Sequence, residues 1–279
     1  MQIHEVGDFS KDTLIKRFEY GRAVIFYMYA VSVVFFVLSG FVVYLSINYP
    51  EIRNKDPNIF IAAAGVLVFF GVFMLVCAMF TAKSRIKIFE IHEKGILCIN
   101  NDERIYTPFG DIEDVYLFRS GKTGKLINNL AYRRNSKHEF EWIHFGLKDF
   151  WGFREEFSSR HVSERLPKII KSLESGEAVT FHYLSTKEFW KKRVVGNFLK
   201  ISTSPIHLTM NEMDVGGEKC LMNEINRVPL NRSGKNITIK NKKGRKIFST
   251  MAFSIISLDL FVHTIDFIIE NHRTAARSS

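Results

Sequence analysis

Two long stretches near the N-terminus contain no ionisable acid or base. Residues 23–50 and residues 57–82 lack Asp, Glu, Lys, Arg and His entirely. A helix needs roughly 20 consecutive apolar residues to cross the hydrocarbon of a bilayer, and both stretches are longer. A buried core helix is usually shorter and polar along one side. The pattern predicts two transmembrane helices, over residues 23–47 and 59–81.

The alternative for the first stretch is a cleaved signal peptide. Its apolar core would extend over about 7–15 residues and end at a small-residue cleavage site. Here the apolar run is longer and rich in aromatic residues, and Asn48, Tyr49 and Pro50 follow it. These features favour an uncleaved anchor.

After residue 82 the apolar residues change to a shorter period. Alternation with a turn at Gly95 predicts strands over residues 85–91 and 96–99, and a further strand-like run covers residues 138–147. Apolar residues then recur at helical spacing over about 154–174. Pro167 falls inside that helix, where it predicts a kink or a late helix start.

The second half of the chain repeats this order. A strand over residues 206–210 and a glycine turn are followed by a hairpin, with strands at 237–239 and 246–249, and by a helix over about 255–271. Residues 111–122 align without a gap to residues 224–235, and seven of the twelve positions are identical. The match in sequence and context predicts an internal repeat of whole domains.

The residues around the first hairpin resemble a known family. Residues 88–96, an apolar strand with a glycine turn, precede residues 109–115, which contain an acidic-Ile-x-x-Val element. This arrangement resembles the bacterial pleckstrin-homology-like (PH-like) membrane-flanking domains, which often follow a pair of transmembrane helices. The resemblance covers residues 84–271. It implies strands closed off by one C-terminal amphipathic helix, and a lipid- or protein-binding role without catalysis.

The predicted architecture is therefore an α+β membrane protein. An N-terminal two-helix transmembrane hairpin is followed by two tandem PH-like domains, each a β-sandwich or barrel capped by a C-terminal helix. The prediction places a cytoplasmic N-terminal segment at residues 1–22 and the hairpin at 23–82. The first domain covers residues 84–176, the second domain 177–272 and a tail 273–279.

Charge is distributed unevenly along the chain. Residues 1–82 contain six basic and six acidic side chains, so the whole net charge of +10 lies in residues 83–279. A basic domain beside a bilayer is attracted to anionic lipid by about 1 kcal/mol per well-placed cation. The alternative is a solvated surface with surplus lysine.

The basic residues next to the two predicted spans indicate an orientation. Four precede the first span and three follow the second, whereas the connecting loop holds two, Arg53 and Lys55, balanced by Glu51 and Asp56. Basic residues are retained on the cytoplasmic side. We expect a multi-pass protein of the bacterial inner membrane with both termini in the cytoplasm.

The repeated Arg-Ser-Gly-Lys sequence supplies the candidate binding residues. A glycine loop can turn backbone amides outward, and Arg and Lys add charge, so such a loop can hold a phosphate or a lipid headgroup. It is not a P-loop, because Tyr116 stands where the first glycine should be. The alternative is a basic turn between strands. The hypothesis is that four cations bind anionic lipid or an acidic partner: Arg119, Lys122, Arg232 and Lys235.

Other clusters carry weaker signals. The first hairpin loop offers only His92 and Lys94 beside Glu93, so we do not expect the phosphoinositide binding of some PH domains. The basic run 240–246 lacks aromatic neighbours for base stacking, which disfavours nucleic acid. Two aromatic runs, residues 150–153 and 189–190, suit either a membrane surface or domain packing.

Neither the three cysteines nor the nine histidines form a recognisable site. The sequence has no CxxC, His-Glu-x-x-His or Gly-x-Ser-x-Gly motif. We therefore expect no metal, no cofactor and no catalytic residues.

The function expected from the sequence is non-catalytic binding. The chain would be a membrane-anchored scaffold or recognition protein for an unidentified protein partner or for anionic lipid. The sequence leaves open whether the chain forms homo-oligomers. The alternative is a bacterial immunity or anti-phage membrane component that binds a toxin or senses membrane damage.

Overall fold

The computed structural model describes most of the chain, in segments separated by short gaps. The described residues are 12–49, 57–118, 128–185, 188, 199, 201–225 and 236–278. They form two compact units, each built from separate stretches of sequence. The helical unit comprises the described residues of Phe18–Phe89 and Ile99–Glu103, and the sheet unit comprises those of Met1–Arg17, Glu90–Cys98 and Arg104–Ser279.

The helical unit contains two helices that are long and apolar enough to cross a membrane. Helix α1 extends over Ala23–Asn48 and helix α2 over Pro57–Ser84. Both contain the predicted spans, which confirms the prediction of two long apolar helices. Most of their large apolar side chains are exposed, including Phe26, Phe69 and Phe80.

The two helices pack antiparallel, and two serine side chains of α1 form hydrogen bonds to α2. The Ser32 hydroxyl donates to the Gly71 carbonyl at 2.8 Å, and the Ser39 hydroxyl donates to the Ala64 carbonyl at 3.2 Å. Both serines are buried against the opposite helix. Small residues and interhelical hydrogen bonds of this kind hold helices together where lipid removes the hydrophobic driving force.

Gly71 lies close against α1, which gives a first prediction. A Cβ atom at Gly71 would lie 3.1 Å from the Phe36 ring, whereas a Cβ at Gly65 would meet nothing within 4 Å. Gly71→Leu should therefore separate the helices, and Gly65→Leu should not. The measurement is disulfide formation between cysteines placed at Met28 and Thr81, which are in contact, in a Cys77→Ala chain in membranes. Equal cross-linking in both variants would contradict the packing.

In the first half of the chain, four strands form one sheet and three form another. The first sheet has the order β1-β2-β3-β4, with strands Leu14–Glu19, Ile88–His92, Gly95–Asn100 and Glu103–Pro108. The second has the order β5-β6-β7, with strands Asp114–Phe118, Asn129–Arg133 and Glu141–His144, and helix α3, Phe150–Glu174, follows. The sheet thus begins at Leu14, before the predicted domain start at residue 84, and α1 and α2 connect β1 to β2.

The second half has the same kind of order. A four-stranded sheet has the order β8-β9-β10-β11, with strands Val179–Tyr183, Ser204–Leu208, Glu212–Val215 and Glu218–Leu221. The hairpin β12-β13 follows, with strands Asn236–Lys240 and Lys246–Met251, and then helix α4, Leu258–Ser278. The link between β8 and β9, residues 184–203, stands where α1 and α2 stand in the first half. The predicted hairpin around residues 241–244 is the β12–β13 turn.

Local details also correspond between the halves. Each four-stranded sheet leads into a short 3-10 turn, Phe109–Asp111 or Met222–Glu224, whose last hydrogen bond runs from an isoleucine N–H to the turn's first carbonyl at 3.2 Å. Helix α3 starts after Asp149 (φ 52°) and helix α4 after Ser257 (φ 55°). Left-handed conformations are uncommon for residues other than glycine, so their presence at both helix starts supports the repeat.

Helix α3 begins earlier than the sequence predicts and continues through Pro167. It starts at Phe150 because the Asp149 carboxylate accepts the Gly152 N–H at 3.1 Å, which caps the first turn. A Cβ at Gly152 would come 2.4 Å from that carboxylate. Glycine is therefore needed for the cap. Strand β7 is shorter than the predicted run, covering Glu141–His144.

The two halves share their hydrophobic core within the sheet unit. Ile169 and Leu173 of α3 belong to one buried cluster with residues of β8 to β13 and α4. In a second cluster, Tyr116 and Phe118 of β5 pack with Ile256 from the second half. The predicted repeat is therefore fused in packing rather than arranged as two separate globules.

Candidate functional site

The four cations of the sequence hypothesis lie outside the described residues. Arg119 and Lys122 belong to the connection between β5 and β6, and Arg232 and Lys235 to the connection that precedes β12. The residues at both ends of the first connection are described, and the Asn128 N–H donates to the Phe118 carbonyl at 3.3 Å. The binding role of these four cations stays a prediction.

A cleft of about 390 Å³ lies in the sheet unit where the two halves meet. It lies between α3, β8 and the residues that lead into α4. Its polar lining combines two cations, Arg165 and Lys168, with two carboxylates, Glu113 and Asp114, and also includes Ser172, Thr180, His182 and Ser257. Small-molecule sites commonly occupy about 300–1,000 Å³, so the cleft can hold a small ligand or a polar end group.

Two cations of α3 are held at the wall of this cleft. Arg165 donates to the Gly110 carbonyl at 2.8 Å, and Lys168 donates to the same oxygen at 3.1 Å. Glu113 lies 3.7 Å from Arg165. Lys168 lies 3.5 Å from the Asp111 carboxylate, so each cation has an acidic neighbour. A guanidinium has five N–H donors and an ammonium has three, so both groups can keep these contacts and still donate to a further polar group. A Cβ at Gly110 would lie 2.6 Å from the Lys168 ammonium, so glycine permits this approach.

The seam beside the cleft is joined by hydrogen bonds centred on Ser257. Its N–H donates to the Val115 carbonyl at 2.7 Å, and its hydroxyl donates to the Glu113 carbonyl at 2.8 Å. The same hydroxyl accepts the Val115 N–H at 2.9 Å. Ser257 is buried, and its hydrogen bonds join the start of α4 in the second half to β5 in the first. The repeat pattern in the sequence did not indicate this role.

The N-terminal residues before α1 take part in the sheet unit. The Tyr106 hydroxyl donates to the Asp12 carboxylate, which also accepts the Lys94 N–H at 3.2 Å. Lys16 of β1 donates to Asp149 at 2.8 Å, and this bond holds the pKa of the Asp149 carboxyl below its usual value. The sequence pattern predicted a cytoplasmic segment here and no strand. The pairing of β1 with β2 across α1 and α2 leaves no local pattern in the sequence.

His161 of α3 is a buried histidine that is kept neutral. Its Nε2 lies 3.0 Å from the Ile112 carbonyl, to which a neutral Nε2–H tautomer donates. Burial lowers the pKa of His161 to about 4. The ring contacts Phe157. This residue therefore contributes to the core and has no access to a ligand.

The lowered pKa of His161 predicts a pH dependence of stability. The unfolded chain binds a proton near pH 6.5 and the folded chain only near pH 4, so protonation favours unfolding and stability falls as pH drops through this window. Between pH 7 and pH 5 the loss from this residue should be about 2 kcal/mol. Urea unfolding in mild detergent should show that His161→Gln removes that part of the pH dependence. His138→Gln, an exposed control, should retain it, and parallel pH profiles for wild type and His161→Gln would contradict the assignment.

The predicted aromatic run at the start of α3 divides between core and surface. Phe150 and Phe153 are buried, whereas Trp151 is 48% exposed. The other run, residues 189–190, lies outside the described residues. Strand β7 adds two exposed aromatic side chains, Trp142 and Phe145. The alternating pattern located this strand but did not show which of its faces is solvated.

The described residues contain no group of three or more His, Cys, Asp or Glu side chains that could hold a metal ion. Cys98 is buried, and Cys220 is half-buried with a thiol pKa raised by burial. Burial also raises the pKa of the Tyr116 and Tyr132 hydroxyls. The Cys220 thiol and the two tyrosine hydroxyls are therefore neutral at physiological pH.

Comparison with known proteins gives no match. No protein-family model, no curated protein and no solved structure corresponds to this chain. The PH-like resemblance therefore rests on the sequence elements described above and stays a prediction. The structure shows an α+β chain with two helices that are long and apolar enough to cross a membrane.

Proposed function

We propose that this chain is a non-catalytic, membrane-anchored binding protein. Helices α1 and α2 cross the bacterial inner membrane as a hairpin, with both termini in the cytoplasm. The two halves of the sheet unit are PH-like domains fused into one recognition unit. That unit binds a protein partner or anionic lipid at the membrane surface.

The observation that supports membrane anchoring is the exposed apolar surface of α1 and α2. Each square ångström of apolar surface left in water costs roughly 25 cal/mol, and Phe26, Phe69 and Phe80 are among many large exposed side chains on these helices. Lys83, in the last turn of α2, is the one Asp, Glu, Lys, Arg or His of the two helices, so the apolar runs themselves lack the ionisable residue that proton relays and ion pathways usually need. An anchoring role therefore fits these helices better than transport.

Three features support a binding role for the sheet unit. Both halves follow the order of strands closed by a C-terminal helix that the PH-like resemblance implies. The cleft at their seam has a charged lining, in which Arg165 and Lys168 face Glu113 and Asp114, and residues 83–279 carry the whole net charge of +10. A shared core makes the two halves a single body, so a ligand can contact both at once.

The test is to purify the full-length chain in mild detergent and to analyse it by native mass spectrometry. We expect either one stoichiometric protein partner or phosphatidylglycerol adducts at lower lipid concentration than phosphatidylcholine adducts. If the chain showed no stoichiometric partner and no preference for phosphatidylglycerol, the proposed function would be overturned.

Replacing the four hypothesised cations with glutamine should weaken the preference for phosphatidylglycerol; these are Arg119, Lys122, Arg232 and Lys235. The matched control removes the same charge from the β12–β13 turn, through glutamine at Lys240, Lys242, Lys243 and Lys246. Equal loss in both variants would show that net charge alone, and not the Arg-Ser-Gly-Lys loops, attracts the lipid.

A further inference from the structure

Strand β7 and the turn after it present a small ridge of aromatic rings to solvent. Trp142 is 44% exposed and Phe145 is 65% exposed. The His144 ring lies between them, with ring centroids 5.8 Å from Trp142 and 6.2 Å from Phe145. We call Trp142, His144 and Phe145 the aromatic ridge. Exposed aromatic side chains in mutual contact are unusual on a water-facing surface and indicate a binding surface.

We propose that the aromatic ridge inserts into the boundary between headgroups and acyl chains of the bilayer that holds the hairpin. This rests on the proposed function, because it requires that α1 and α2 anchor the chain in lipid. It goes further by naming the residues of the sheet unit that enter the membrane and the depth at which they lie.

Three polar groups of the ridge have partners within the protein. The Trp142 indole N–H donates to the Asn129 side-chain oxygen at 2.8 Å, and His144 Nδ1 accepts the Gly146 N–H at 3.0 Å. The Phe145 N–H donates to the Asn128 carbonyl at 2.9 Å. A polar group that enters an apolar medium without a partner is costly. Because these groups keep their partners, the rings can leave water without that cost.

The same hydrogen bonds fix the ridge in place. Asn129, which anchors the indole, is fully buried on β6, and β6 pairs with β7 on one side and β5 on the other. The Trp142 and His144 rings therefore lose little conformational freedom when they bind. Preorganisation of this kind lowers the entropic cost of association.

Lipid is the occupant that these observations favour over a protein. A stable protein interface buries about 800 Å² on each partner, whereas aromatic side chains bury roughly 150–250 Å² each. For a chain already tethered to a bilayer, lipid is present at high effective concentration, so a small contact suffices. Exposed Lys148 follows the ridge in sequence, and aromatic residues with basic neighbours are typical of membrane interfaces.

The experiment places the full-length chain in nanodiscs of phosphatidylcholine and phosphatidylglycerol. Trp151→Phe and Trp190→Phe together leave Trp142 as the single tryptophan. Lipids brominated near the headgroup end of the acyl chain should reduce Trp142 emission at least twofold relative to unbrominated lipid, and lipids brominated deeper should quench less. Phe145→Asp in the same chain should restore most of the emission, because an ionised carboxylate opposes insertion. Ile105→Asp, at another exposed apolar residue, should not.

Unquenched Trp142 in a chain that remains in the nanodisc would overturn the aromatic ridge as a membrane contact. Equal quenching in Phe145→Asp and Ile105→Asp chains would do the same. Near-ultraviolet circular dichroism checks that each variant is folded. Failure of the proposed function would be seen separately, as the lack of both a partner and a lipid preference in native mass spectrometry.

Discussion

Replacing Ser257 with alanine should lower the free energy of unfolding of the sheet unit by about 2–4 kcal/mol. The substitution removes the hydroxyl that donates to the Glu113 carbonyl and accepts the Val115 N–H. Both backbone groups then lose a partner at a buried seam, and an unsatisfied buried group costs about 1–3 kcal/mol. Urea unfolding of the full chain in mild detergent, followed by circular dichroism, measures the loss.

Two further variants separate the hydroxyl from the backbone conformation. Ser257 has φ 55°, which glycine adopts more easily than alanine. Ser257→Gly should therefore be less destabilising than Ser257→Ala, although it also lacks the hydroxyl. Ser175→Ala removes an exposed hydroxyl from the end of α3 and should change stability by less than about 0.5 kcal/mol. If Ser257→Ala behaved like Ser175→Ala, the seam would not depend on this residue.

Phe157→Ala should be more damaging still, at about 3–5 kcal/mol. Phe157 is fully buried, and its ring lies 5.4 Å from that of Phe109 and 5.3 Å from that of Tyr132, measured between centroids. It joins α3 to the 3-10 turn after β4 and to strand β6. Truncation leaves a cavity that the surrounding rings cannot fill, so both transfer energy and packing are lost. The same urea titration measures the effect.

Trp151→Ala is the matched control for Phe157→Ala. Trp151 lies on the same helix and is larger, but about half of its surface is exposed. Its truncation should cost clearly less than that of Phe157. Comparable losses for the two variants would mean that α3 does not bury the face assigned here.

The sequence signal was strongest for the two long helices. A run of more than 20 residues without charge has few alternatives, so both helices and the α+β class were predicted and confirmed. Their observed bounds, Ala23–Asn48 and Pro57–Ser84, extend slightly past the predicted spans. The helices α3 and α4 were also located by their apolar spacing, with ends that differ by several residues because caps such as Asp149 decide where a helix starts.

The long-range pairings could not be predicted in the same way. Strand β1 reads Leu-Ile-Lys-Arg-Phe-Glu, without a clear alternation, and its partner β2 lies beyond both long helices. Nothing local in either segment encodes that pairing. Because α1 and α2 connect two strands of one sheet, the hairpin joins the sheet through two chain links rather than one.

The candidate site was predicted only in outline. The repeated Arg-Ser-Gly-Lys sequence drew attention to Arg119, Lys122, Arg232 and Lys235, which lie outside the described residues. The cleft with Arg165 and Lys168 depends on how the two halves pack, and no residue pattern shows that in advance. The aromatic ridge depends on which face of β7 is covered, which is again a tertiary property.

The claim on which the whole account depends is that α1 and α2 cross a membrane as a hairpin. The most direct measurement is labelling of intact cells with a membrane-impermeant maleimide. Arg53→Cys, in the loop between the helices, should be labelled in intact cells, whereas Ser279→Cys should be labelled only after the membrane is made permeable. The native chain, with Cys77 in α2 and Cys98 and Cys220 in strands, should stay unlabelled in intact cells. Labelling of Ser279→Cys but not Arg53→Cys in intact cells would contradict the proposed orientation, and equal labelling of both would contradict the hairpin.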